Sequence, residues 1–111
     1  MLTPETILQE AKALSDYMIA IRRDIHAHPE LGRQEIRTQA LILKELEAMG
    51  IECQPCADTG VLGIIRGGKP GKTIALRADM DALPILEDTG LPFASCHTGV
   101  MHACGHDAHT A

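Results

Sequence analysis

Apolar residues recur every three or four positions through the first quarter of the chain. Ile7, Leu8, Ala11, Leu14, Met18, Ile21 and Ile25 fall on one stripe of a helix, the face that would turn to a core. Thr3 can cap that helix, and Pro4 occupies its first position, where a missing N–H costs nothing. The pattern predicts a helix from there to about His28, because Pro29 disfavours helical geometry in the residue before it. A second helix is predicted from about Gln34 to Met49 on Ile36, Ala40, Leu43, Leu46 and Ala48, with Gly50 closing its end.

From residue 51 the period changes. Ile51 to Cys56 and Val61 to Arg66 read as two short strands joined by Ala57-Asp58-Thr59-Gly60, a hairpin-length connection. The run Gly67 to Lys72 is a turn. Thr73 to Ala78 reads as a third strand, and its mainly apolar content suits an internal position in a sheet. Helices followed by strands predict an α/β class: two helices, about three strands, and then a loop of metal-binding side chains. Neither a repeat nor a low-complexity linker interrupts the 111 residues.

Composition narrows the function. Lys+Arg 10 against Asp+Glu 15 gives a formal charge of −5, and Tyr17 and Phe93 are the only aromatics. Phosphate binding asks for clustered cations and usually stacking platforms, so a nucleic-acid partner is not expected. The roughly eighteen apolar residues needed to cross a bilayer are absent, and a membrane partner is not expected either. Residues 1 to 5 lack the basic and then apolar order of a secretory leader, which predicts a cytoplasmic protein. Cys53, Cys56, Cys96 and Cys104 would then stay thiols, free for metal or redox chemistry.

The chemistry is concentrated after Ala78. Asp79-Met80-Asp81 puts two carboxylates just past the third predicted strand, where open α/β sheets place ligands. As a pair of carboxylates they could ligate a metal or fix the tautomer of a liganding histidine. Between His97 and His109 lie four of the six histidines, with Cys104 and Asp107. Imidazole, thiolate and carboxylate are the groups that hold zinc and its neighbours. A helical segment would put His102, His106 and His109 on one face, with Cys104 pointing away. An extended one would align His102, Cys104 and His106, but about 6.5 Å apart, wide for one small ion. Gly105 permits a bend that brings Cys104 and His106 together or onto adjacent ions, with a helix starting after Asp107. Cys104 and His106 are therefore the candidate ligands.

Other motifs carry less. Cys53-Gln54-Pro55-Cys56 is a C-x-x-C without a second such pair and at a strand end, not at a helix N-terminus, so it is read as a chance occurrence. The glycines of residues 67 to 72 do not match phosphate-loop spacing. His26 and His28, with Glu30, form either a second polar site or simply the end of a helix.

Three stretches together resemble a known family: Arg23 to Gly32 with its His28-Pro29-Glu30-Leu31-Gly32, Leu76 to Ile85, and Met101 to His109. They are similar, in order and over essentially the whole chain, to the amidohydrolase branch of the aminoacylase-type metallopeptidases, which includes hippurate hydrolase and the N-acyl-amino-acid and indole-acetyl-amino-acid hydrolases. The resemblance implies an α/β/α catalytic domain with a dimerising lid domain, and hence a homo-oligomer. It implies a site of two divalent ions, zinc or manganese, that hydrolyses the amide of a small-molecule N-acyl amino acid. Carried over by motif, Cys104 and His106 are metal ligands and Asp81 is a catalytic residue near the metals. Family members are several times longer, and their general-base glutamate, a further glutamate ligand and two histidine ligands lie beyond the position of Ala111. The expectation is an N-terminal piece, residues 1–111, carrying part of a site and inactive alone. Two other readings compete: a metal-binding or interaction module without turnover, and an incomplete domain that associates through exposed apolar sheet surface.

Overall fold

The structure is a computed structural model that describes residues 1–111. Its order is α1 (Pro4–Ala13), α2 (Ser15–Ala27), α3 (Ile36–Ala48), β1 (Glu52–Cys56), β2 (Gly60–Ile64) and α4 (His106–Thr110). The mixture of helix and strand agrees with the expected class. Thr3 caps α1 as its sequence position foretold, its hydroxyl accepting from the Thr6 amide while the Thr6 hydroxyl faces the Thr3 amide.

The single first helix is corrected to two. At Leu14 the backbone tightens, its amide donating to Ala11 at i−3, and α2 resumes with the Met18 amide donating to the Leu14 carbonyl. Its apolar stripe does not reach a core along its whole length. Ile7, Leu8 and Leu14 are more than half exposed, whereas Ile25 is fully buried. Ala27 ends α2 one residue ahead of His28-Pro29, as proline sterics require.

α3 ends in a Schellman arrangement. Gly50 adopts φ 71°, its amide donates to Glu47, and the Ile51 amide donates to Leu46. At its start the neighbouring Glu35 makes no cap, and Glu30 reaches over instead. The Glu30 carboxylate accepts from the Arg37 amide at 2.9 Å, the Thr38 amide at 2.7 Å and the Thr38 hydroxyl at 2.7 Å. The hairpin pairs β1 with β2 antiparallel, Glu52 opposite Ile64 and Cys56 opposite Gly60. Ala57 and Asp58 turn it with positive φ, as two left-handed central residues do in tight hairpins. Gln39 donates to the Asp58 and Gly60 carbonyls, and Thr59 donates to Glu35 at 2.6 Å, so α3 carries the hairpin on its flank.

The third predicted strand does not form. Residues 73–78 pair with nothing, and Ile74 and Leu76 are 82% and 95% exposed. An apolar run makes a strand only when neighbours on each side accept its backbone groups, and the sheet ends at β2. Beyond it the chain is held again. The Ala82 amide donates to the Glu30 carbonyl at 2.8 Å, and Leu83 and Met101 exchange amide and carbonyl at 2.9 Å each. Residues 81–83 thus run between the end of α2 and the His/Cys motif, and this three-segment layer is the platform of the candidate site.

Candidate metal centre

Gly105 adopts φ 89° and starts α4 at His106, two residues earlier than the sequence suggested. The left-handed bend anticipated between Cys104 and His106 is present, at a position where only glycine avoids a Cβ penalty. α4 docks onto the carboxylate segment. His106 Nδ1 lies 2.9 Å from the Asp81 carbonyl oxygen and 3.0 Å from Asp81 Oδ1, while its Nε2 is 3.6 Å from Asp79 Oδ2. The Thr110 hydroxyl donates to the Asp79 carbonyl at 2.8 Å. Asp79 also receives Arg77 at 2.6 Å. Asp79, Asp81 and His106, 25 to 27 residues apart in sequence, are therefore brought together. Cys104 stands beside them in sequence as an exposed free thiol.

Behind this turn lies a buried polar layer. Asp107 is fully buried, and its Oδ2 accepts from Arg22 Nε at 3.1 Å and faces His26 Nδ1 at 2.8 Å. Burial pushes the Asp107 carboxyl up, but the bonds to His26, the Ala108 amide and Arg22 outweigh it and hold the group below its ordinary value. His102 is 4% exposed, and burial pushes its imidazole below the ordinary value against the pull of the Asp107 charge, which keeps the ring neutral at pH 7.

Both His102 nitrogens and Asp107 Oδ1 are buried without a hydrogen-bond partner. A neutral, unpartnered imidazole, a bare thiol and a histidine oriented through Nδ1 by a carboxylate are donors a borderline-soft divalent ion takes. The donor chemistry fits. Its convergence is partial, since no three His, Cys, Asp or Glu side chains stand ready as one complete set.

The remaining motifs separate cleanly. Cys53 points its sulfur at the Leu43 carbonyl, 3.8 Å away, and Cys56 is exposed at the other end of β1. His28 stays at the end of α2 with Asp24. His26, by contrast, is more than the helix-end residue its sequence position suggests: it is a hub of the buried layer. Its partners are 61 and 81 residues away, a separation that no local spacing signals.

A thiol and an imidazole on either side of a left-handed glycine, with carboxylates against the imidazole, are groups that bind divalent ions. The sequence pattern of Peptidase family M20/M25/M40 matches residues 75–111. Over 96% of its length the chain is 50% identical to thermostable carboxypeptidase 1 of Saccharolobus solfataricus, covering 28% of that protein. It is 56% identical to N-acetyl-L-cysteine deacetylase of Bacillus subtilis over 88% of its length and 24% of the relative's. The fold matches a crystal structure of a Bacillus subtilis dinuclear metal-binding peptidase of the M20 family, with TM-score 0.85 and 51% identity over 89% of this chain and 28% of that one. Over nearly its whole length the chain is similar to the N-terminal portion of such proteins, and its residues 75–111 match Peptidase family M20/M25/M40. It spans about a quarter of the length of these relatives. No helix is long and apolar enough to cross a membrane.

Proposed function

We propose that residues 1–111 are the N-terminal part of the catalytic domain of a cytoplasmic, divalent-metal amidohydrolase acting on N-acyl amino acids of the hippurate type. The observation that carries this reading is the grip of Asp81 on His106 Nδ1, at 2.9 Å through its carbonyl and 3.0 Å through its carboxylate. That grip leaves Nε2 as the free ligating nitrogen, one glycine away from an exposed thiol. Cys104 and His106 are assigned as ligands to zinc or manganese. Asp81, the residue expected to be catalytic, acts through His106 by fixing its tautomer and direction. An ion held by Cys104 and His106 would supply Lewis acidity, polarising the scissile carbonyl and lowering the pKa of a water toward about 7.

The proton of that water needs a carboxylate free to take it. Glu87 is not free: its oxygens face His26 and accept from the Thr89 hydroxyl and the Ser95 amide. The base, on the family resemblance, lies beyond residue 111. The chain alone is therefore expected to bind metal without turning over substrate, which also covers the reading of a non-catalytic metal-binding module.

Elemental analysis of the purified chain after loading with zinc or manganese tests the assignment. Metal is expected in the wild type and in Cys53→Ala, and lost in Cys104→Ala and His106→Ala. Equal loss from Cys53→Ala moves the site to the hairpin and overturns it. An extended reading frame that binds metal but leaves N-acyl amino acids intact overturns the substrate class.

A further inference from the structure

One buried cluster has no part in the chemistry assigned so far. His26 is 3% exposed, and its ring is held between two carboxylates, Nδ1 at 2.8 Å from Asp107 Oδ2 and Nε2 at 2.7 Å from Glu87 Oε1. A neutral imidazole has one N–H and one lone pair, so it could satisfy one carboxylate while turning its lone pair on the other. Only the ring protonated at both nitrogens donates both ways. With Arg22 on Asp107, the cluster then balances two positive against two negative groups.

The partners come from three separate segments. His26 is on α2, Glu87 begins the loop that carries Phe93, and Asp107 is in the first turn of α4. The same loop is pinned twice more, by the edge of the His26 ring against Phe93 at 5.5 Å and by the Cys96 amide donating to the Ala27 carbonyl at 2.9 Å. Asp107 directly follows His106. Whatever fixes Asp107 fixes the direction in which His106, and across Gly105 also Cys104, project.

We propose that His26 is a positioning residue: an imidazolium clasp between Asp107 and Glu87 that sets the orientation of the Cys104–His106 turn against α2. This rests on the ligand reading above. Without the ring, two buried carboxylates face each other with no cation between them, and one partner of a buried charge set is missing. The turn then moves off α2, and metal affinity falls as it does when outer partners of ligands are removed.

Two substitutions separate the two sides of the clasp. The amide nitrogen of Asn stands near the place of Nδ1, and that of Gln near Nε2. His26→Asn is therefore expected to keep the Asp107 link, and His26→Gln to keep only the Glu87 link. The probe is cobalt(II), followed by the thiolate-to-cobalt absorption of Cys104. His26→Gln is expected to weaken cobalt binding by about tenfold or more, and His26→Asn by clearly less. Hydrogen exchange read by mass spectrometry is expected to speed up in residues 101–111 of His26→Gln and to stay unchanged in residues 38–48. A general loss of fold would move both.

Equal cobalt midpoints in wild type and His26→Gln overturn the proposal, as does equal loss in the two variants. A wild-type chain without the cobalt band sinks the ligand reading, and exchange in residues 101–111 then decides the clasp alone. Unchanged exchange there overturns it.

Discussion

Glu87 gives the buried layer its response to acid. Burial raises its pKa, but bonds from Thr89, His26 and the Ser95 amide, together with the His26 charge, outweigh burial and hold the carboxyl below its ordinary 4.5. A folded-state pKa below the unfolded one means that unfolding takes up a proton. The contribution of Glu87 is therefore complete above 4.5 and is lost as the pH falls through the lower folded value. Urea midpoints measured by circular dichroism from about pH 6 down to about pH 3 are expected to fall, and to fall less in Glu87→Gln. An equal fall in the two proteins would assign the loss to other carboxylates. At this scale the sequence revealed donors better than supports. Cys104, Gly105 and His106 announce themselves because their chemistry and their bend are encoded within three residues. Asp81 could be suspected from its carboxylate pair. His26 and Glu87 could not, because their meaning is a contact across 61 residues, and each taken alone looks like an ordinary helix-end histidine or loop acid. His102 was one of several histidines in a dense run until its burial without a partner set it apart.

Among the elements, those whose hydrogen bonds close within a few residues were legible, and those that need a distant partner were not. The start of α1 at Thr3-Pro4, the stop of α2 before Pro29 and the Gly50 closure of α3 all rest on local groups. The hairpin followed for the same reason, since its two strands lie a turn apart. Residues 73–78 carry a strand's composition, but a strand is a relation between segments, and no neighbour offers a ladder. The cap of α3 lies between these cases, because its acceptor comes from outside the helix. Glu30 satisfies two backbone amides and the hydroxyl of Thr38, which is fully buried, and its own carbonyl takes the Ala82 amide. One residue thus joins α3 to the segment that carries Asp81. Glu30→Ala is expected to destabilise the fold by about 1–3 kcal/mol, because buried donors lose a charged acceptor. The check is a shift of the urea midpoint together with faster exchange of the Arg37 and Thr38 amides. A midpoint unchanged from wild type would mean that water replaces the carboxylate without cost.

The whole molecule exposes more than a chain of its mass should. Its accessible surface is 8255 Å² at 12.0 kDa, whereas folded monomers of that mass average about 6,000 Å². The radius of gyration is 15.8 Å, against about 13 Å for a compact domain of similar length. Ile25, Pro29 and Ala82 are the only buried apolar residues, while Ile65, Ile74 and Leu76 are each more than four-fifths exposed. Beneath the unpaired segment an apolar hollow of about 300 Å³ opens between Leu46, Ile51, Val61, Leu76 and Met80. An extended apolar edge beside an apolar hollow is a surface that water disfavours and that another chain can cover, by pairing its backbone and filling the space at once. The isolated chain is therefore expected to associate in solution, its scattering mass rising with concentration above 12.0 kDa. Charges placed on the edge should oppose this without touching the polar layer around His26. Ile74→Lys combined with Leu76→Glu is expected to lower the scattering mass while leaving far-UV circular dichroism and cobalt binding as they were. A monomeric wild type would mean that the exposed edge is tolerated. Association undiminished in the double variant would move the contact to the open faces of α1, where Ile7 and Leu8 also meet solvent.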